Sequence, residues 1–237
     1  MTDKVKLADI EVSCFSSMEE VIDEIMEQHL EDASIAVAIN PEKILKSLDC
    51  EMTRKAIDLA NIRYLDGYGA LKLASFKIRK KLSRIPGCEL WEALMMASVD
   101  RKIPVFVLGA KTETLTKTVN KLIESGVNVA GSHDGYFDDE DSLIEQIKIS
   151  QAKILTVALG SPKQELFMAK CKARGVTSFM MGVGGTYDVY TGRVRRAPKI
   201  WCRANLEWLY RLLQQPTRFM RQLRLLNFIR LAVLKKI

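Results

Sequence analysis

The chain has 237 residues, 48% of them apolar, and a net charge of +7. That length and apolar share can bury one substantial core and leave room for an appended segment. The five cysteines (Cys14, Cys50, Cys88, Cys171 and Cys202) form no Cys-x-x-Cys pair, which excludes a zinc knuckle and a disulfide framework as expectations and fits a reduced, cytoplasmic setting.

Charge is unevenly placed. From Arg193 to Ile237 twelve Lys or Arg meet a single acid, Glu207, a net of +11 that leaves −4 for the preceding part. A mildly acidic body with a strongly basic tail points the tail toward something anionic: phosphates, nucleic acid or an acidic lipid surface.

In chain order, the N-terminus reads Met-Thr-Asp-Lys, without the basic start, apolar stretch and cleavage site of a signal peptide, so export is not expected. Strands are predicted at residues 35–39, 62–65, 105–108, 127–130, 154–159 and 179–183. Helices are predicted near 41–60, 69–82, 89–101, 112–125, 141–150 and 162–174. This alternation predicts a doubly wound, Rossmann-like α/β fold with a parallel sheet. After Gly192 it stops and only helix is expected, dividing the chain into a body, residues 1–192, and a basic helical appendage, residues 193–237. The most apolar part of the appendage, residues 225–234, is interrupted by Asn227 and Arg230. It falls short of the roughly 20 apolar residues that span a bilayer and can lie on a membrane but not cross it.

Ligands of such sheets bind beyond the carboxyl ends of the strands, so Asn40, Asp66, Gly109, Gly131 to Phe137, Gly160 and Gly184-Gly185 are the first candidates. In Leu159-Gly-Ser-Pro-Lys-Gln-Glu165 a helix start is expected, with Ser161 as N-cap, Pro162 in the first position and Gln164 closing a capping box. Lys163 beside the free amides suits a phosphate, although the same residues equally suit a capped helix with no ligand. Asn40 is expected to cap the helix that follows it. Met181-Gly-Val-Gly-Gly-Thr-Tyr-Asp188 lets the backbone approach a ligand closely, yet it is neither a dinucleotide fingerprint nor a Walker loop. Asp66 has the position of a general base toward a hydroxyl, while Asp-Gly is also a common turn. Asp139-Glu140-Asp141 has the form of a metal-holding Asp-x-Asp but stands directly before a helix, whose positive end favours acids. With His29 and His133 isolated, no metal is expected. In the tail, Arg211, Arg218, Arg221 and Arg224 fall within about 140° of one another on a helix, opposite Phe219, Leu223 and Leu226. That pattern suits an interfacial helix and also an ordinary packed surface helix.

Val37-Ala-Ile-Asn-Pro-Glu-Lys43, Tyr64-Leu-Asp-Gly67, Val105-Phe-Val-Leu-Gly109, Gly131-Ser-His-Asp-Gly-Tyr-Phe137, Ala158-Leu-Gly-Ser-Pro-Lys-Gln-Glu165, Met181 to Asp188, Arg196-Ala-Pro-Lys199 and Leu206-Glu-Trp-Leu-Tyr-Arg-Leu-Leu213 occur in this order. Together, over about residues 35–225, they resemble the WecG/TagA/CpsF glycosyltransferase family. Within it the likeness is to members that transfer N-acetylmannosaminuronic acid in enterobacterial common antigen synthesis, more than to the N-acetylmannosaminyltransferases of wall teichoic acid.

The resemblance implies an inverting, metal-independent transfer, without cofactor, from a UDP-sugar donor to undecaprenyl-diphosphate-linked N-acetylglucosamine at the inner face of the cytoplasmic membrane. It implies Asp66 as catalytic base, and Asn40, Arg84 and Gln164 as residues that position sugar and diphosphate. Tyr136, Gly184, Gly185 and Asp188 become donor-site residues, with Tyr136 stacking on the uracil. Arg211, Arg218 and Arg221 become tail arginines that close over the leaving diphosphate, fixed cations doing the work of a metal. Ala38 stands where the teichoic acid members have a threonine, which removes a hydroxyl contact and agrees with the uronic acid donor. A nucleic-acid partner is not expected, because Trp201, Trp208, Tyr210, Phe219 and Phe228 fall mostly at core-like spacing. Homo-oligomerisation is left open by the sequence.

Overall fold

A computed structural model of the chain describes residues 2–195, 197, 198, 201, 209, 210, 212 and 219–234. The chain opens with a hairpin, β1 (Lys4–Leu7) and β2 (Ile10–Ser13), and the helix α1 (Met18–Gln28). Six further strands are β3 (Ile35–Ile39), β4 (Ile62–Leu65), β5 (Val105–Gly109), β6 (Val129–His133), β7 (Ile154–Ala158) and β8 (Phe179–Gly182). Between them run α2 (Pro41–Asp49), α3 (Glu51–Asp58), α4 (Tyr68–Ile78), α5 (Gly87–Asp100), α6 (Thr112–Glu124), α7 (Glu140–Ile149) and α8 (Lys163–Ala173). After β8 come α9 (Thr186–Tyr190) and α10 (Phe219–Val233).

The six strands form one parallel sheet in the order β4-β3-β8-β7-β5-β6, with helices on both faces, as the alternation of the sequence predicts. The inner strands read as unbroken apolar runs because a parallel sheet is covered on both sides. Successive residues then go to opposite cores. Ile35, Val37, Phe106 and Leu155 face the core covered by α2, α3, α4, α7, α8, α10 and the hairpin. Ala36, Val107, Ile154 and Phe179 face the core covered by α1, α5, α6 and Tyr187 of α9.

The structure departs from the sequence expectations in several places. Residues 2–34, given no element above, hold the hairpin and α1; Ala8 (φ 48°) and Asp9 (φ 62°) make the hairpin turn without the glycine that usually marks one. Ser17 caps α1 by accepting from the Glu20 amide at 3.2 Å. The single helix expected over residues 41–60 is two, because Cys50 (φ −140°, ψ 105°) is extended between α2 and α3. β6 starts at Val129, two residues late, since the Val127 amide still bonds Leu122 at the end of α6 (3.0 Å). α8 starts at Lys163 with Pro162 in the cap position and no side-chain cap, so the capping box expected from Ser161 and Gln164 does not form. Among the described residues, no helix is long and apolar enough to cross a membrane.

A buried ion pair joins α2 to α8. Lys43 Nζ lies 2.7 Å from Glu165 Oε1, with side chains 9% and 2% exposed. Each ion loses several kcal/mol of hydration there, which the mutual attraction returns only while both partners remain. Glu165→Leu is therefore expected to lower unfolding free energy by about 3 kcal/mol, and the double change Lys43→Met, Glu165→Leu to recover most of it. Urea midpoints of the four proteins in that cycle check this; an additive double mutant would contradict the coupling.

Candidate active site

The connection leaving β5 runs outward to the edge strand β6, and the one leaving β7 runs back toward β8. Their helices also part, α6 to one face and α8 to the other. Beyond the ends of β5 and β7 a crevice therefore opens at a topological switch point, the place where open α/β sheets take ligands. Its base is tight. A Cβ on Gly109 (φ +110°) would stand 2.6 Å from the Ala158 carbonyl, so only glycine fits. The Ala110 amide donates to that carbonyl at 3.1 Å, and the Gly135 amide donates to Ala110 O at 2.8 Å, tying the loops after β5, β6 and β7 together.

The resulting cleft has a volume of about 460 Å³ and is lined in part by Ala110, Lys111, Tyr136, Lys163, Asp188 and Arg193. Lys111, just before α6, and Lys163, the first residue of α8, follow different strands, and neither has an ion-pair partner among the described residues. Arg193 is anchored: its Nη1 lies 3.5 Å from Asp188 Oδ1 and donates to Thr114 Oγ1 at 3.1 Å. Tyr136 is 68% exposed, but its backbone is fixed, since Asp134 accepts from the Tyr136 amide (2.9 Å) and from the Thr112 hydroxyl. The Thr112 hydrogen bond, followed by that of the amide, holds the Asp134 carboxyl below the usual range. A second crevice of about 360 Å³, lined by Phe137, Glu140, Phe167 and Lys170 among others, shares Lys163 with the first.

At the other end of the same sheet edge, Asp66 follows β4 and Asn40 follows β3. The Asp66 amide donates to Ile39 O at 3.1 Å, extending the ladder by one step. Asn40 caps α2 as expected, accepting from the Lys43 amide at 2.9 Å. A Cβ on Gly67 would stand 2.6 Å from Pro41 Cδ, so the two loops touch through glycine. Arg84 donates from Nε to the main-chain oxygen of Asp66, and its Nη2 lies 3.4 Å from Asp66 Oδ1. Beneath them is Tyr64, fully buried, whose hydroxyl has no hydrogen-bond partner among the described residues. Burial first, then the Asp66 charge, hold its phenol well above the usual value.

Between the two ends lie Gly184 and Gly185, which follow β8. Gln164, 5% exposed, turns inward and accepts from the Gly184 amide at 3.0 Å instead of capping α8. Asp66 is three strands from β7, or about 14 Å at the usual spacing of parallel strands, so it does not line the cleft. The structure thus brings Asp66, Asn40 and Arg84 together at one end, and Tyr136, Lys163 and Asp188 at the other, with Gln164, Gly184 and Gly185 between. Arg211 and Arg218 lie outside the described residues; Arg221 is on α10, and its side chain is outside them too.

Two cleft residues are not singled out by the sequence: Lys111 stands two residues after the candidate Gly109, and Arg193 enters only through the tail charge. The acids of Asp139-Glu140-Asp141 are engaged. Asp139 caps α7 by accepting from the Asp141 and Ser142 amides at 3.0 Å each. Glu140 and Asp141 pair with Lys170, and Asp141 also with Arg174.

Chemically, unpaired ammonium groups in a crevice suit an anion such as a diphosphate, and a carboxylate beside a guanidinium suits proton abstraction from a hydroxyl. With residues 5–237 matched by the sequence model of the glycosyl transferase WecG/TagA/CpsF family, the chain belongs to that family of glycosyltransferases, whose reaction implies a nucleotide-sugar donor and a lipid-linked acceptor.

Proposed function

We propose that the protein transfers N-acetylmannosaminuronic acid from UDP to undecaprenyl-diphosphate-linked N-acetylglucosamine, the step of enterobacterial common antigen synthesis that yields the disaccharide lipid. The observation that carries the reading is the pair of lysines without an ion-pair partner among the described residues, Lys111 and Lys163, in the switch-point crevice on the sheet edge that also bears Asp66. The donor diphosphate lies between those lysines, with Tyr136 against the uracil and Asp188 on the nucleoside. The sugar extends past Gly184, Gly185 and Gln164 toward Asn40.

Asp66 accepts the proton of the acceptor hydroxyl as its oxygen bonds to the anomeric carbon. The bond from that carbon to the diphosphate oxygen breaks, UDP leaves with the electron pair, and this single displacement inverts the configuration. Arg84 orients the carboxylate through the contacts given above. Arg211, Arg218 and Arg221, from a basic appendage spanning residues 193–237 that meets the inner face of the cytoplasmic membrane, add charge against the departing UDP. The reading requires no metal or other cofactor. The second reading is transfer of neutral N-acetylmannosamine, as in teichoic acid synthesis; Ala38, which brings no hydroxyl to the end of β3, favours the uronic acid.

Mass spectrometry of products formed from a panel of UDP-sugars and a short-chain lipid-diphosphate N-acetylglucosamine tests the reading. A product heavier by one N-acetylmannosaminuronic acid is expected, and a neutral hexosamine product would select the second reading. Asp66→Asn is expected to lower kcat about 10²- to 10⁴-fold with little change in donor KM, measured with the same acceptor. For the crevice, Lys111→Ala and Lys163→Ala are each expected to weaken UDP about tenfold in calorimetric titrations, an effect that shrinks as salt rises. Wild-type affinity in both variants would remove the diphosphate from the crevice.

A further inference from the structure

Outside the cleft, a second concentration of positive charge lies in the body itself. Residues 67–88 contain Lys72, Lys77, Arg79, Lys80, Lys81 and Arg84 and no acid, a net of +6 inside a part of the chain whose total is −4. All but Arg84 are exposed. Lys80 is paired with Asp3, whereas Lys72, Lys77, Arg79 and Lys81 have no acidic partner among the described residues.

On α4, Ala70, Leu71 and Ala74 face the core. The opposite stripe, Lys72, Phe76 and the Arg79-Lys80 corner, follows the spacing of one helix face and stands in solvent. Phe76 at its centre is 81% exposed. Cations favour the carbonyl end of a helix, which accounts for Lys77 and Arg79. It accounts neither for Lys72 in the first half of α4 nor for a bare phenyl ring among ammonium groups. Next to α4 lies α10, whose Phe228 ring is 3.4 Å from where a Cβ on Gly69 would be, and α10 exposes Leu226, Ile229 and Val233.

We propose that the exposed face of α4, continued by residues 79–81, docks on a bilayer that carries acidic phospholipid, and that the body of the protein therefore shares the membrane contact with α10 of the basic tail. Acidic headgroups match the cations that have no acidic partner among the described residues, of which Lys77 donates to Lys6 O (3.0 Å) and Lys72 lies 5.4 Å from the Tyr68 ring, and the acyl boundary takes Phe76 and the neighbouring apolar side chains of α10. A polynucleotide would satisfy the charges alone. The contact is also placed for a lipid-linked substrate: α4 leaves the sheet at Asp66, and the chain returns at Arg84, which bonds Asp66. The proposal concerns where the protein meets the bilayer and stands whichever sugar is transferred.

The test is flotation of the full-length protein with phosphatidylcholine vesicles, with and without phosphatidylglycerol. The wild type is expected to float only with the acidic vesicles. Replacing Lys72, Lys77 and Lys81 together by Gln is expected to weaken that partition between about tenfold and about a hundredfold. Phe76→Ser, which keeps every charge, is expected to weaken it severalfold, and circular dichroism shows whether both variants are folded. Wild-type partition by both folded variants, equal binding to neutral vesicles, or tighter variant-sensitive binding to duplex DNA at the same salt would overturn the proposal. Turnover of a water-soluble short-chain acceptor is expected to survive in these variants. Its absence in the wild type would count against the transferase reading and leave the vesicle result to decide this one.

Discussion

Where β5 meets β7 there is no room for a side chain: Gly109 sits at φ +110°, with the Ala158 carbonyl 2.6 Å from where its Cβ would be. Because the two strands are locked so closely, the loops that leave them in opposite directions must open a gap directly above the contact. Lys111 and Lys163 line that gap, and the Gly135 bond to Ala110 draws the loop of Tyr136 over it. A bulkier residue at Gly109 would disturb the strand ladder and the crevice in one step.

Charge around the sheet edge is sorted by whether it has a partner. Lys43 and Glu165, both buried, pair at 2.7 Å, with Glu165 Oε2 left without a hydrogen-bond partner among the described residues, and Asp188 is held by Arg193. The crevice lysines have no ion-pair partner among the described residues, and two ammonium groups on one crevice suit an anion such as a diphosphate. At the far end, the Arg84 guanidinium restrains the Asp66 carboxylate while leaving it 28% exposed, within reach of an incoming hydroxyl.

Much of this was legible in the residues. The inner strands are apolar on both faces, so their runs stand out, and the residues at their ends, Asn40, Asp66, Gly184 and Gly185, follow from the topology of such sheets. The hairpin was not legible: Lys4-Val5-Lys6-Leu7 and Ile10-Glu11-Val12-Ser13 alternate strictly, but four residues each are too few to stand out as strands, and their turn lacks the glycine that marks a hairpin. Cys50 gives no breaker signal between α2 and α3. Gln164 looked like a cap because caps are read locally, whereas the side chain is claimed by the Gly184 amide twenty residues away. Lys111 and Arg193 acquire meaning only from what folds beside them, and no spacing along the chain announces that. The basic face of α4 was masked by arithmetic, since the surrounding acids cancel it in the total.

The route from Asp66 through α4 to Arg84 is a closed loop with both feet bonded to each other. Its helix is a stiff arm of roughly 16 Å. The tip is tied in its turn to the hairpin, where Lys77 donates to Lys6 O at 3.0 Å and Lys80 pairs with Asp3. Any surface that meets Phe76 therefore stands about one helix length from Asp66, a fixed reach set by the fold.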